Sequence, residues 1–506
     1  MIYDLYKKGV IRKKSDITIV GGGTIGLLIA DILEKKGFSI IVLESGKIYQ
    51  NSNYHKLNKV LFSKKKYHSA LNGRFRCLGG TSTRWGGGLI PFQDVDFKKG
   101  GWPLSIKKIK KNIRYIEKLF KLSNKSYRNN NLFKDKNFIA SYAKLPKFKY
   151  RNTFNIFKKS IISKERLNVW INSTVNKFKV KGSKLKCISA MSSDGSIIEV
   201  ESEKYIFCTG AIETTKLLLL LDKQNSKIIS KSSNLLGRYF SDHISLPIAD
   251  ITNPSFRKLN LLFSYDFSNG IKKIRILMKN KSILRKKYPP FFLNVPISTD
   301  NDITYKSLRN FFQFIQKNKF PKFKDIKILI SNYNWVLKLL WWRFIKKKLL
   351  VSNKLQFKLH LIIEQSPKFS NKISLSSKKD YLGSNIPIIN WDLDKKDFDN
   401  INNIKYEIRS FWQKSILKNY GNLKIYSNKK ISKQLKNYGG IHHPSGSTRM
   451  AKSSKNGIVN KDLQIFNIKN SYVVSTSVFP SGGEANPTMT LFQIGIELTK
   501  LFSKKK

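Results

Sequence analysis

The feature that most constrains the fold is a glycine-rich turn, Gly21-x-Gly23-x-x-Gly26, between two short apolar runs near the N-terminus. The run before the turn, residues 16–20, and the later run, residues 38–43, have the length and β-branched content of buried strands. The segment between them has apolar residues at helical spacing and ends at a glycine. This order predicts a strand–helix–strand unit and therefore an α/β fold of the Rossmann type.

The same turn predicts a dinucleotide site. Gly21 permits a tight turn, Gly23 lets the backbone approach a pyrophosphate, and Gly26 lets helix and strand pack closely. Glu44 follows the second strand, where a carboxylate accepts hydrogen bonds from ribose hydroxyls. An acidic side chain there disfavours a 2′-phosphate, so the pattern predicts FAD or NAD without choosing between them.

The length and the distribution of glycine predict more than one domain. A chain of 506 residues is too long for one simple core, so we expect two domains or a large insertion. Residues 245–435 lose glycine and gain Lys, Asn and aromatic residues, and glycine and proline then return. We predict a nucleotide-binding domain in two parts, residues 1–244 and 436–506, with a substrate-binding domain inserted between them.

The charge of the chain is strongly positive, with 96 Lys and Arg against 32 Asp and Glu, a net charge of +64. Such a field attracts polyanions. The lysines are nevertheless scattered along the whole chain beside abundant Asn and Ile, which biased codon usage also produces, and no nucleic-acid recognition motif accompanies them. We favour the compositional explanation and expect no specific nucleic-acid partner.

The cysteines and the hydropathy indicate the compartment. Cys77, Cys187 and Cys208 are too few and too widely spaced for a disulfide framework or a metal site. Residues 1–15 lack the apolar run of a signal peptide, and no window of about 18 uninterrupted apolar residues exists. We therefore predict a cytoplasmic protein without a bound metal or a membrane-spanning helix.

Four further tracts carry most of the remaining information: RCLGGTSTRWGG at residues 76–87, CTGAIETTKLL at 208–218, HHPSGSTRM at 442–450, and the segment 475–488, which contains SVFP and ends in NPT. Together they resemble the glucose–methanol–choline (GMC) oxidoreductase family, in its bacterial-type branch. The resemblance covers both ends of the chain and points between, and it is thin over residues 245–360.

The resemblance implies a fold and a cofactor. It implies a Rossmann-like, discontinuous FAD-binding domain with an inserted α+β, sheet-based substrate domain. Within that fold, the residues expected to bind FAD are Gly21, Gly23, Gly26 and Glu44 at its ADP half, Gly79, Gly80, Thr81 and Ser82 along the flavin, Val175 near the adenine, and Ser477, Pro487 and Thr488 in the tract that approaches the ribityl chain and the isoalloxazine.

The family resemblance also implies the catalytic pair. Oxidation of an alcohol removes a hydride, which flavin N5 accepts, and a proton, which needs a base with a pKa near neutrality. His443 occupies the catalytic register three residues before Gly446, whereas His442 is one residue too early and is interpreted as structural. Asn486 cannot titrate, but its amide can orient the substrate hydroxyl. The implied substrate is a small hydroxylated molecule, an alcohol or a sugar.

Two departures from the family pattern matter. Some relatives, such as the pyranose oxidases, link FAD covalently through a histidine where this chain has Arg84. Since arginine cannot form that link, we expect non-covalent FAD. Many members also carry an Asp-Ala pair where this chain has Ser475 and Thr476, which leaves the ribityl contacts open.

Residues 335–350 are apolar, aromatic and basic at once. This composition is typical of an interfacial helix on an anionic membrane, and equally of a core helix in a lysine-rich chain. The sequence leaves both interpretations open, so a peripheral membrane contact is one expectation.

Two other functions are compatible with parts of the sequence. Another FAD- or NAD-dependent oxidoreductase could share only the N-terminal unit, which leaves the C-terminal tract unexplained. A basic membrane- or polyanion-binding protein with a vestigial nucleotide site would have lost its catalytic groups, yet His443 and Asn486 are both present. We therefore favour the FAD-dependent oxidoreductase, with the substrate and the electron acceptor unidentified.

Overall fold

The computed structural model describes residues 1–297, 299, 302–316, 320–352 and 355–503. Its strands, numbered along the chain, are β1 (Ile2–Asp4), β2 (Val10–Val20), β3 (Ile40–Leu43), β4 (Leu61–Phe62), β5 (Arg128–Asn129), β6 (Phe138–Leu145), β7 (Leu167–Ile171), β8 (Thr174–Lys181), β9 (Lys184–Met191), β10 (Ile197–Phe207), β11 (His243–Thr252), β12 (Ile271–Met278), β13 (Phe291–Asn294), β14 (Lys358–Glu364), β15 (Lys372–Lys379), β16 (Asn385–Asn390), β17 (Asn422–Ile425) and β18 (Ser471–Val473).

The α-helices are α1 (Gly26–Lys35), α2 (Ser52–His55), α3 (Ser69–Asn72), α4 (Asp94–Lys99), α5 (Ile106–Lys110), α6 (Ile113–Leu119), α7 (Thr153–Ser163), α8 (Gly210–Gln224), α9 (Phe256–Phe263), α10 (Leu284–Lys287), α11 (Ile303–Gln316), α12 (Phe323–Ser331), α13 (Tyr333–Phe344), α14 (Lys395–Lys414), α15 (Asn428–Lys436) and α16 (Thr488–Lys500).

The first sheet forms the Rossmann-like part of the fold. Its strand order is β1-β7-β3-β2-β10-β9-β8, and β18 pairs with the end of β10. The parallel part of this sheet consists of β1, β7, β3, β2, β10 and β18. The strands β8 and β9 form an antiparallel extension beside β10. Because these strands come from both ends and the middle of the sequence, the domain is discontinuous, as predicted.

The second sheet is antiparallel throughout and has the order β17-β11-β14-β13-β12-β6-β5. It provides the sheet-based second domain that the fold class predicted. Two of its strands, β5 and β6, precede residue 245, and the domain boundaries at residues 244 and 435 stay predictions. A small third sheet has the order β15-β16-β4.

The second sheet has two unlike faces. On β12, Ile274 and Ile276 belong to the hydrophobic core of the second domain, whereas Leu277 between them belongs to the core of the Rossmann-like domain. Phe292 on β13 and Ile362 on β14 also pack into that first core. This inner face of the second sheet therefore looks toward the Rossmann-like domain.

The sequence of residues 169–178 alternates as a single strand would, which predicts one strand, but in the structure these residues form parts of two. The strand β7 ends at Ile171 and β8 begins at Thr174. Between them, Asn172 has φ +58°, a left-handed conformation that asparagine tolerates better than most residues. The alternation of the sequence continues through this turn, so it could not reveal the change of partner from β3 to β9.

The segment 335–350 is helical only in its first part, because α13 ends at Phe344. The indole nitrogen of Trp335 donates to Asp302 at 2.9 Å, so one side of this helix packs against its own domain. Trp341 and Phe344 remain 47% and 57% exposed. Among the helices of the described residues, none is long and apolar enough to cross a membrane.

Candidate active site

A cavity of about 490 Å³ opens at the carboxyl ends of β2, β3 and β10, where Val20, Leu43 and Cys208 line it. This is the edge at which parallel α/β sheets bind their ligands. The sequence-predicted residues that line the cavity come from both predicted parts of the nucleotide-binding domain and are Gly21, Gly23, Glu44, Gly80, Thr81, Ser82, Val175, His443, Asn486 and Thr488.

Four other predicted residues lie beside the cavity without lining it. A Cβ on Gly79 would lie 2.1 Å from Oδ1 of Asn152. Ser477 is buried and accepts a hydrogen bond from the Thr448 hydroxyl at 2.7 Å, and Pro487 precedes the first residue of α16. Gly26 is the fourth and begins α1.

The glycine turn holds α1 close to the first sheet. Gly21 has φ +101°, and a Cβ there would lie 2.9 Å from the carbonyl oxygen of Cys208. A Cβ on Gly26 would lie 2.0 Å from the carbonyl oxygen of Gly21. The start of α1 consequently faces the cavity through Gly23 and Thr24. A helix N-terminus in this place stabilises phosphate groups.

The Glu44 carboxylate lies against the glycine turn. Its carboxylate accepts hydrogen bonds from the backbone N–H of Gly22 at 2.9 Å and of Gly46 at 2.8 Å. Burial raises the pKa of this carboxyl, and the two backbone donors and the nearby Arg76 oppose the rise. Glu44 therefore lies at the end of β3 and lines the cavity, as a ribose-binding carboxylate must.

The loop of residues 76–87 packs directly onto the glycine turn. The N–H of Gly79 donates to the carbonyl of Gly22 at 2.9 Å, and the Thr24 hydroxyl donates to the carbonyl of Gly79. Gly80 has φ +52°, and a Cβ there would lie 3.0 Å from Cα of Gly23. The backbone of this loop therefore lies against the backbone of the glycine turn, and a long, narrow ligand can contact both.

His443 and its neighbours form the opposite end of the cavity. The backbone N–H of His443 donates to Asp242 at 3.0 Å, and its ring nitrogen Nδ1 is buried with no hydrogen-bond partner among the described residues. Burial, followed by the charges of His243 and Arg275, holds the pKa of His443 well below its usual value. His442, with φ +69°, also lines the cavity, and its backbone N–H donates to the hydroxyl of Ser69.

Asp242 anchors the backbone around these histidines. Its carboxylate accepts from the N–H groups of His243, Ile441 and His443 and from the hydroxyl of Tyr67, at 2.5–3.0 Å. Possible ligand atoms of Asp242, His243 and His443 lie within 4.8 Å of one another. Because the carboxylate already accepts four hydrogen bonds, the trio is better suited to positioning His443 than to binding a metal, and the absence of a metal stays a prediction.

Hydrogen bonds and an ion pair outside the cavity fix the segment that carries Asn486. His243 Nε2 lies 2.8 Å from the carbonyl oxygen of Gly483, so this nitrogen carries the ring proton and donates. Glu364 accepts from the backbone N–H of Gly482 at 2.6 Å, and Arg285 pairs with Glu484 at 2.7 Å. These contacts fix the backbone just before Asn486, whose side chain lines the cavity.

The sequence gives no signal for Arg275. This residue lies on β12, in the region where the family resemblance is thin, and it is one of 96 basic residues. No spacing or composition distinguishes it from the others. His243 directly follows Asp242 in the sequence, which is typical of a structural pair, but the edge contact of its ring with His443 is visible only in three dimensions.

Comparisons with known proteins give a family-profile match over part of the chain and similar folds over nearly all of it. The family profile described as GMC oxidoreductase matches residues 367–495. Pyridoxine 4-oxidase from Mesorbium loti has a similar structure, with a TM-score of 0.59, 14% sequence identity and coverage of 96% of this chain and 99% of that chain. A formate oxidase is similar with a TM-score of 0.54, 14% identity and coverage of 97% and 98%. No curated sequence shows significant similarity to the chain.

The shared fold and the profile match agree with the architecture of the cavity. An elongated dinucleotide suits the N-terminus of α1, the Glu44 carboxylate and the two closely packed glycine segments. His443, with its unpaired Nδ1, lines the same cavity. FAD is the dinucleotide that the profile match and the FAD-containing formate oxidase support for this cavity. Residues 367–495 thus match the GMC oxidoreductase profile, the chain shares its fold with the two oxidases, and together these findings support an FAD-dependent oxidoreductase.

Proposed function

We propose that the enzyme oxidises the CH–OH group of a small hydroxylated substrate, with His443 as the base that takes the hydroxyl proton. The observation that carries this proposal is the buried, unpartnered Nδ1 of His443 in the same cavity as Asn486. A buried polar atom without a partner is costly, and a substrate hydroxyl would satisfy it.

The electrostatics keep His443 unprotonated. Burial, followed by His243 and Arg275, holds its pKa well below the near-neutral value expected of the base, so the imidazole is uncharged and can accept a proton, as a weaker base than the sequence indicated. Asn486 supplies an amide that can hydrogen-bond the same hydroxyl and fix its orientation. His243 and Asp242 hold both groups in place without entering the cavity.

The residues that would hold FAD are those lining the long part of the cavity. Gly21, Gly23 and Gly80, with Glu44, line this cavity, and we expect the first two and the start of α1 to contact the pyrophosphate, Glu44 the ribose, and Gly80 the flavin. When bound, FAD supplies the hydride acceptor. We propose that it is held non-covalently, since Arg84 is exposed and donates to Gln50 at 3.3 Å, and a guanidinium forms no flavin link.

The ultraviolet–visible spectrum of the purified holoenzyme tests the proposal. We expect an oxidised flavin spectrum that is bleached without oxygen by a member of a panel of alcohols, sugars and hydroxy acids. A holoenzyme whose flavin none of these compounds reduces, while dithionite does, would contradict the oxidation of CH–OH groups. Acid precipitation should release the yellow colour into the supernatant; colour retained in the pellet would show a covalent link.

We also propose that α12 and α13 contact an anionic membrane surface. Phe323 and Ile330 on α12, and Leu337, Trp341 and Phe344 on α13, are exposed. Lys346 lies above the Trp341 ring, 4.9 Å from its centroid, and Lys347 is exposed beside it. Exposed aromatic side chains next to lysines suit the interface of an anionic bilayer.

A further inference from the structure

Arg275 lies on the second sheet behind Gly88, a residue that lines the cavity, and is not itself part of the lining. On β12 it shares the inner face with Leu277, whereas Ile274 and Ile276 point into the second domain's own core. A Cβ placed on Gly88 would lie 3.9 Å from Nη2 of Arg275 and 3.7 Å from Nδ2 of Asn486. The guanidinium and the Asn486 amide therefore approach the same point of the cavity wall.

The guanidinium of Arg275 has no acidic partner among the residues that the structure describes. Its Nε is buried without a hydrogen bond, and its main contact is the Phe292 ring, whose centroid lies 4.4 Å from the guanidinium carbon. The Arg275 side chain is half-buried with its Nε buried, and the two arginines that are fully buried among the described residues are paired: Arg76 with Glu213 at 2.6 Å, and Arg285 with Glu484 at 2.7 Å.

An unpaired buried cation is costly unless a ligand supplies the counter-charge. Arg275 cannot relieve the cost by losing its proton, because a guanidinium keeps its charge in proteins. An arginine in this position is thus the expected feature of a site whose ligand is an anion.

The basic groups around Arg275 lack a neutralising carboxylate. Lys273, two residues earlier on the same face of β12, has its pKa lowered to about 7 by burial and by the charge of Arg275. His360 on β14 has its pKa lowered to about 4 by burial and by Lys358 and Lys273. No carboxylate contributes to these shifts, and only the Tyr265 phenol favours the charged form of Arg275.

We propose that Arg275 binds an anionic group of the substrate, a carboxylate or a phosphate, and that the enzyme therefore oxidises a small hydroxylated acid. The proposal rests on the oxidation of a CH–OH group proposed above. The planar fork of the guanidinium can donate two parallel hydrogen bonds to such an oxyanion. The hydroxyl at the other end of the substrate then lies toward Asn486 and His443, which limits the substrate to a few carbon atoms.

Equilibrium binding to the FAD-loaded enzyme tests the proposal without turnover. Calorimetry at fixed ionic strength would compare acetate and propionate with their neutral amides, acetamide and propionamide, and with inorganic phosphate. We expect the wild-type enzyme to bind at least one of the anions more tightly than the amides. Arg275→Gln should weaken that binding by about 10- to 100-fold and leave the amides unaffected.

The control is Arg238→Gln. The Arg238 guanidinium lies over the Phe369 ring at 4.3 Å, much as Arg275 lies over Phe292, and Arg238, unlike Arg275, is not among the charges that lower the pKa of His443. We expect this variant to bind anions like the wild type. Arg275→Lys keeps the charge and loses the fork, so it should retain intermediate affinity. Melting temperature and bound flavin verify that each variant is folded.

The outcomes separate the two proposals. Anions that bind no better than amides, or that bind equally well after Arg275→Gln, overturn the anionic substrate, and alcohols that still bleach the flavin leave CH–OH oxidation standing. If no alcohol or hydroxy acid bleaches the flavin, the oxidation fails, while the binding data still decide the role of Arg275. Acetate binding that exceeds phosphate binding assigns a carboxylate, and the reverse order assigns a phosphate.

Discussion

The imidazole of His443 meets that of His243 edge-on, with ring centroids 5.2 Å apart and ring planes at 87°. Burial lowers the pKa of His243 to about 4, and its Nε2 proton is donated to the carbonyl of Gly483. His243 therefore stays neutral at physiological pH. At lower pH a proton on His243 opposes a proton on His443, and His243 therefore contributes, after burial, to the lowered pKa of His443.

The His443→Ala variant tests the proposed base. We expect it to keep FAD, because His443 lies at the catalytic end of the cavity, and to slow anaerobic reduction of the flavin by substrate about 10²- to 10⁴-fold. Stopped-flow absorbance of the flavin measures this rate. His442→Ala, which removes the adjacent cavity-lining ring, should have a much smaller effect. Equal losses in both variants, or none in His443→Ala, would move the base elsewhere.

A second prediction concerns the close approach of Gly80 to Gly23. In Gly80→Ala the new methyl would lie 3.0 Å from Cα of Gly23, in a backbone with φ +52°, so the loop must move away from the glycine turn. We expect weaker FAD binding by at least about tenfold. Gly86→Ala in the same loop is the matched control, because a Cβ there meets no atom within 4 Å.

Titration of each apoprotein with FAD, followed by quenching of flavin fluorescence, measures both affinities. Unchanged affinity in Gly80→Ala would show that this contact does not shape the FAD site. Weakened affinity in Gly86→Ala as well would indicate general sensitivity of the loop.

The nucleotide half of the site could be predicted from sequence because its determinants are local. The turn that contains Gly21 and the strand that ends before Glu44 belong to one short unit, in which backbone conformation and spacing are visible in the sequence. The catalytic half could be predicted only through the family resemblance, since no spacing rule places His443 beside Asn486.

The inner wall of the second sheet could not be predicted at all. Arg275 matters through its lack of an acidic partner and its distance from Asn486, and both are properties of the folded chain. In a sequence with a net charge of +64, a single basic residue in an alternating strand does not indicate a binding site. Likewise, the positive φ of Asn172 divides what the alternation presents as one strand.

The exposed side chains of α13 allow a prediction about membranes. We expect the wild-type protein to sediment with vesicles of phosphatidylcholine and phosphatidylglycerol at low salt, and much less with phosphatidylcholine alone. The double variant Trp341→Ser, Phe344→Ser should lower binding by about tenfold or more, because each ring inserted at the interface contributes on the order of 1.5–3 kcal/mol.

Phe148→Ser controls for the loss of an exposed aromatic elsewhere, since Phe148 is 71% exposed and lies outside these helices. It should bind vesicles like the wild type. No sedimentation of the wild type at low salt, or equal binding by all variants, would leave the positive charge alone as the source of any attraction.

The last prediction concerns pH and Glu364, which supports the backbone before Asn486. Burial raises the pKa of Glu364 to about 7. Hydrogen bonds from the Gly482 N–H and the Ser481 hydroxyl partly oppose this rise, because they favour the ionised carboxylate. A carboxyl whose pKa is higher in the folded state binds a proton that the unfolded chain releases at lower pH. The stability it contributes is complete below its unfolded pKa, about 4.3, and is lost as the pH rises to about 7.

Glu364→Gln removes this titration. Between pH 5 and 7 the free energy of unfolding of the wild type should fall relative to that of the variant by up to about 1.4 kcal/mol per pH unit, the value for one proton. Denaturant unfolding of the FAD-loaded protein at several pH values measures the difference. Glu203→Gln, at an exposed carboxylate whose side chain is 73% exposed, should track the wild type. Parallel curves for the wild type and Glu364→Gln would mean that Glu364 is already ionised in the folded protein at pH 5.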